Sequence, residues 1–117
     1  MKLNIAFDLD GTIGSHPFEF STLMFALNGE VFHRIVLTAA AGEFPPEKRP
    51  DEVCRRLAGI GIHKHLHYDE LYCCESFDKG AICQARNIHI IIDDDQKVID
   101  DVKAKSRSTL RLKVAVS

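Results

Sequence analysis

Short apolar runs that stop at acids or hydroxyl residues alternate along this chain with stretches of helical spacing. Leu3 to Phe7 is apolar except for Asn4 and breaks at Asp8-Leu9-Asp10-Gly11. A buried strand that ends in a glycine-bearing loop has this pattern. Pro17 to Leu27 carries Phe18, Leu23, Met24 and Leu27, with Pro17 suited to a first helical position and Asn28-Gly29 to a stop. Arg34 to Thr38 is a second strand-like run ending in a hydroxyl, and Ala39 to Pro50, with Gly42, Pro45, Pro46 and Pro50, reads as a loop. The next helix is expected over Pro50 to Ala58, with Val53, Leu57 and Ile60 on one side. Asp51 and Glu52 lie near the positive end of its dipole, and Gly59 and Gly61 mark its end. Glu70 to Cys74 predicts a third strand, Lys79 to Arg86 a short helix, and Ile88 to Ile92 the most apolar strand, stopping at Asp93-Asp94-Asp95. Gln96 to Lys105, with Val98, Ile99 and Val102, predicts a helix, and Leu110 to Val116 a last strand.

This strict alternation of strand and helix predicts an α/β fold, a three-layer doubly wound parallel sheet of about five strands with helices on both faces. The 117 residues suit one domain, 1–117, and 45% hydrophobic content is ample for its core. In such sheets, ligands gather at the carboxyl ends of the strands, where most of the notable polar residues of this chain fall.

Composition removes several classes of partner. A net charge of −2 does not indicate a nucleic-acid or anionic-membrane binder, which needs a positive excess. No run approaches the ~20 apolar residues of a membrane span. The first apolar run is cut short at Asp8, which speaks against a signal peptide. Cys54, Cys73, Cys74 and Cys83 show no C-x-x-C spacing and read as reduced thiols of a cytoplasmic protein. Adjacent residues of a strand point to opposite faces, which argues against a redox pair at Cys73-Cys74.

The candidate chemistry starts at Asp8-Leu9-Asp10-Gly11-Thr12. Two carboxylates one residue apart at a strand end repel each other unless a cation or protons compensate, and Gly11 allows the sharp turn after them. The loop lacks the later acids of an EF-hand. Thr38 ends the second strand, where a hydroxyl can donate to a phosphoryl oxygen or cap the following turn. Lys79 opens a helix, against the helix dipole, which an anion nearby would explain. Asp93, Asp94 and Asp95 at the end of a buried strand again call for a cation, although Asp95 also suits a helix N-cap.

In that order, Phe7-Asp8-Leu9-Asp10-Gly11-Thr12, strand-end Thr38, Lys79 and Ile90-Ile91-Ile92-Asp93-Asp94 resemble the motif series of the haloacid-dehalogenase superfamily, over roughly Lys2 to Lys105. The resemblance implies a Mg²⁺-dependent phosphatase in which Asp8 is the nucleophile and forms an aspartyl-phosphate. It implies that Asp10 acts as general acid and base and lends its backbone carbonyl to the metal. Asp93 and Asp94 would complete the metal site with Asp8, while Thr38 and Lys79 would hold the oxygens of the transferring group. An acid at position 10 favours phosphatase over dehalogenase chemistry.

Family members usually add a cap. Here one insertion slot, Ile13 to His33, holds a single helix, and the other, Glu75 to Asp78, is too short for a domain. A capless site points to a bulky or macromolecular phosphate, or to a homo-oligomer whose second protomer closes over a sugar phosphate or nucleotide. Three alanines, Ala39 to Ala41, follow Thr38 where relatives place substrate contacts, which leaves Lys48 or Arg49 to supply specificity.

Other readings compete. A receiver-like phosphoacceptor domain needs its acceptor Asp at a middle strand, where this chain has Thr38 and Cys73-Cys74-Glu75. A non-catalytic phosphate- or protein-binding module on the same scaffold would be expected to have lost Asp8 or Asp10. His63, His65 and His67 alternate as zinc ligands on a strand would, though exposed histidines are the plainer account. The basic run Lys103 to Lys113 reads as a solvated face that also suits an anionic substrate.

Overall fold

The computed structural model describes residues 1–115. Strand β1 (Leu3–Phe7) pairs on one side with β2 (Phe32–Thr38), which in turn pairs with β3 (Glu70–Cys73). On its other side, β1 pairs with β4 (Ile90–Asp93), and β4 with β5 (Leu110–Lys113). All four pairings are parallel, and the order across the sheet is β3-β2-β1-β4-β5.

Helices α1 (Pro17–Ala26) and α2 (Arg49–Gly59) cover one face; α3 (Lys79–Ala85) and α4 (Gln96–Lys105) cover the other. The pleat sorts the strand residues accordingly. Ile5, Phe7, Val36 and Ile92 pack with Phe20, Met24, Val53 and Leu57, whereas Ala6, Ile35, Leu37 and Ile91 pack with Cys83, Val98 and Val102. Burial on both faces is why the central strands read as unbroken apolar runs. Cys73 and Cys74 likewise pack against opposite layers.

Several element boundaries differ from the sequence reading. Strand β2 begins two residues earlier, because Phe32 and His33 find partners in Leu3 and Asn4. Strand β4 starts at Ile90: Ile88 instead closes the turn after α3, donating its N–H to the Cys83 carbonyl (2.9 Å). The expected loop from Ala39 to Pro50 contains a short 3-10 turn, Pro46–Lys48, which leads into α2. Strand β5 ends at Lys113; Val116, the expected end, lies outside the described residues. In α1, Phe20 and Met24 are buried and Leu27 packs beside them, while Phe18 and Leu23 are exposed. That helix is apolar on nearly every side, so periodicity alone could not choose its inner stripe. Ile60 is exposed, and Ile62 takes the buried place after Gly61 turns the chain at φ 82°.

His63, His65 and His67 do not lie on a strand. His65 has φ 73°, and the buried His67 accepts the His63 N–H through Nδ1 (3.0 Å). Among the described residues no helix is long and apolar enough to cross a membrane.

Candidate active site

The chain runs outward from β1 to β2 and β3, then crosses back to β4 on the opposite side of β1. Connections leaving these neighbouring strands in opposite directions open a crevice at their carboxyl ends. Asp8 follows β1 directly and donates its backbone N–H to the Ile92 carbonyl (3.0 Å), while Asp93 ends β4 and Asp94 follows it. Two of the most apolar runs in the chain therefore deliver three carboxylates to one crevice.

After Asp8 the chain makes a wide turn, Leu9–Ile13, closed by bonds from Ile13 N–H to the Asp8 carbonyl (3.3 Å) and from Gly14 N–H to the Leu9 carbonyl (2.7 Å). Turns of this i to i+5 type are rare and concentrate at functional sites. Within it Asp10 is extended and Gly11 has φ 79°, a conformation in which a side chain is strained. A Cβ on Gly11 would also collide with the Asp94 carboxylate. Thr12 Oγ1 donates to Asp94 Oδ1 (3.2 Å), so this turn fixes the second acid after β4.

Lys79 begins α3, yet it is only 2% exposed. Its Nζ donates to Asp8 Oδ1 (2.7 Å) and Asp93 Oδ2 (2.8 Å), bridging the ends of β1 and β4. The other Asp93 oxygen, Oδ1, accepts the Asp95 N–H (3.0 Å). Asp95 caps α4 by accepting the Lys97 N–H (2.9 Å), as its position suggested. A buried cation between two buried carboxylates is the arrangement in which each charge tolerates loss of water. Burial pushes the Asp8 carboxyl up to about 7, against the pull of Lys79 and with a further push from Asp93. Burial alone would lower the Lys79 ammonium, but Asp8 and Asp93 outweigh it and hold the group above its ordinary value. Burial also pushes the Cys74 thiol up to about 12, so it is no ready thiolate.

These groups line a cavity of about 720 Å³ with Asp8, Asp10, Lys79, Asp93, Asp94 and Lys113 on its wall. Asp10 is exposed at the rim. Ligand oxygens of Asp8, Asp93 and Asp94 lie within 4.8 Å of one another. An all-carboxylate donor set with one ammonium among three acids fits a hard divalent cation such as Mg²⁺, and not a metal that prefers sulfur or imidazole.

The structure thus brings together Asp8, Asp10, Lys79, Asp93 and Asp94, and seats Thr38 differently. Thr38 is fully buried and its Oγ1 accepts the Ala40 N–H (3.0 Å), shaping the turn whose Ala39 and Ala40 border the cavity. Lys48 and Arg49, the expected specificity residues, do not border it. Arg49 is occupied with the Phe44 carbonyl (2.9 Å), the Gly42 carbonyl (3.1 Å) and Glu75 (3.2 Å). Lys113 was legible only as part of a basic run. Its place on the wall comes from its register opposite Asp93, a pairing that residue spacing does not reveal.

No family model matches the chain, and no curated protein matches it.

Proposed function

We propose that the chain is a phosphoric monoester hydrolase of the haloacid-dehalogenase type. The observation that carries this reading is the meeting of Asp8, Lys79, Asp93 and Asp94, from three separate segments, in one crevice with Asp10 at its rim.

In this reading an Asp8 carboxylate oxygen attacks phosphorus as the ester P–O bond breaks. The leaving oxygen takes a proton from Asp10, at the solvent side where a leaving group departs. Water then attacks the aspartyl-phosphate, gives its proton to Asp10 and releases inorganic phosphate, which restores both carboxyl groups. Mg²⁺ held by Asp8, Asp93 and Asp94 would supply the positive charge that keeps these carboxylates ionised and offsets a dianionic substrate. Lys79 orients Asp8 through Oδ1. Lys113, the other cation on the wall, is suited to the outer phosphate oxygens. Thr38 contributes the shape of the Ala39-Ala40 turn.

The segment Glu75–Asp78 holds a single 3-10 turn and Ile13–His33 one helix, so among the described residues no cap domain covers the cavity. A bulky phosphate, or a second protomer closing over a sugar phosphate or nucleotide, fits that openness.

Phosphate release from sugar phosphates, nucleotides, nucleic-acid ends and phosphopeptides, measured with Mg²⁺, tests the reading. Turnover is expected for wild type, with a loss of at least about a thousandfold in Asp8→Asn. Equal release by both proteins would overturn the mechanism. A phosphoryl group that persists on Asp8 without ester turnover would assign the site to a phosphoacceptor instead.

A further inference from the structure

Phe77 lies in the 3-10 turn Ser76–Asp78, immediately before Lys79, and its side chain is largely solvent-exposed (69%). A single exposed aromatic is ordinary on a protein surface. This one stands out because of where its turn is fixed. Lys105 Nζ, itself paired with Asp101 (2.8 Å), donates to the Phe77 carbonyl (3.3 Å), and Gly80 N–H donates to Asp101 Oδ2 (2.9 Å). The turn is thereby fastened to α4 at Phe77 itself and, just after it, through the first residues of α3.

Between this turn and the start of α4 is a second cavity, of about 340 Å³, lined by Ser76, Phe77, Asp95, Lys97, Val98 and Asp101. Ser76, Asp95 and Val98 border the catalytic cavity as well, so the two spaces adjoin. The catalytic cavity is lined chiefly by acids and lysines. The second offers the exposed Phe77 ring beside Lys97, with the buried Val98 also on its lining, a surface suited to a flat apolar group.

Resting on the hydrolase reading above, we propose that this cleft is the leaving-group subsite and that it takes a planar aromatic ring joined to the phosphate, seated against Phe77. With two acids, Asp95 and Asp101, against one cation, Lys97, on its lining, the cleft disfavours a second anionic group, so the ring is uncharged or cationic. An uncapped enzyme gains in this way a fixed wall for its substrate at the place where a cap would otherwise be inserted.

Equilibrium binding of phenylphosphonate and methylphosphonate, in the presence of Mg²⁺, tests the subsite without turnover. Wild type is expected to favour the phenyl compound by about tenfold, the size of one good aromatic contact. That preference should vanish in Phe77→Ala and persist in Phe77→Trp. A parallel pair on Asp8→Asn, adenosine 5′-monophosphate against ribose 5-phosphate, tells whether a ring held through a sugar also reaches Phe77. Ring preference that depends on Phe77 in either pair supports the subsite. No ring preference, or one unmoved by Phe77→Ala, overturns it, even if esters are turned over in an Asp8-dependent way. Phe77-dependent binding without any ester turnover would overturn the hydrolase reading and leave an aromatic-phosphate binding site.

Discussion

Gly11 shows how much of the site hangs on single positions. Its φ of 79° and the absence of a Cβ both let Asp94 lean over the turn after β1. Gly11→Ala adds backbone strain of about 1–2 kcal/mol and displaces the Asp94 carboxylate. The melting temperature should fall by a few degrees, while the Mg²⁺ concentration for half-maximal turnover rises at least about tenfold. Mg²⁺ titration of activity beside a thermal melt would separate the two effects, and an unchanged titration would remove Asp94 from the metal site. Lys79 makes a complementary case. Lys79→Met leaves Asp8 and Asp93 buried and facing each other without their shared cation, a loss expected to cost about 3–5 kcal/mol. Because a divalent cation can replace the missing charge, Mg²⁺ should raise the melting temperature of Lys79→Met more than that of wild type. At this scale the sequence was informative about type and poor about partners. The acid pair at Asp8 and Asp10 and the acids after Ile92 stand out in any reading, since like charges at apolar strand ends need an explanation. Thr38 had two readings, as phosphoryl donor and as turn cap, and its oxygen accepts the Ala40 N–H (3.0 Å) as the turn cap requires, a bond that still leaves its O–H as a donor. Lys79 as a string position resembled any surface lysine; its burial depends on where α3 meets β1 and β4.

Elements transmit these placements. The first turn of α3 holds Lys79, and its position is set by α4, because Gly80 N–H binds Asp101 and a Cβ on Gly80 would lie 2.6 Å from the Asp101 carbonyl oxygen. Gly80→Ala should therefore push α3 away from α4, cost about 1–3 kcal/mol, and lower kcat by withdrawing Lys79 from Asp8. The stability loss is checked by denaturant unfolding and the second effect by kinetics on the folded fraction. If kcat per folded molecule were untouched, the contact would be structural only. Strands of continuous apolar character were easy to read, because burial on both faces leaves no polar alternation to confuse with a loop. Boundaries were harder wherever pairing, and not composition, decides them. His33 joins β2 because Asn4 is opposite, and Lys113 joins β5 because Asp93 is opposite. Helix α1 gave a strong helix signal without an inner face, since Phe18, Phe20, Leu23 and Met24 compete for it and only the sheet beneath decides.

At the scale of the whole molecule, the end of the sheet opposite the crevice is held by a second buried charge, Arg34. Its side chain is 5% exposed and donates to both oxygens of Asp69 (2.9 and 3.0 Å), to the Met24 carbonyl (3.0 Å) and to the Leu66 and His65 carbonyls (3.1 Å each). It thereby joins α1, the connection into β3 and the start of β2, none of which lines the cavity around Asp8. The strand-like run Arg34 to Thr38 concealed this role, because the partner acid is 35 residues away in a polar stretch. If the crevice is the active site proposed above, stability and activity lie at opposite ends of the strands and should separate on mutation. Asp69→Asn leaves the buried guanidinium without its counter-charge and should cost about 3 kcal/mol, while kcat/KM of the folded protein stays at the wild-type value. The pH dependence has a definite sign. Burial opposes ionisation of Asp69, but its bonds to Arg34 prevail and hold the carboxyl below its ordinary value of 3.8. A depressed carboxyl stabilises the folded state fully above the unfolded value and loses that contribution as the pH falls through the folded one. The gap in unfolding free energy between wild type and Asp69→Asn should therefore be constant from pH 7 to about pH 5, and shrink progressively below about pH 4. Urea unfolding of both proteins across that range measures it. A gap that persisted undiminished at the acid end would show that Asp69 acts on Arg34 through shape and hydrogen bonding alone, without its charge.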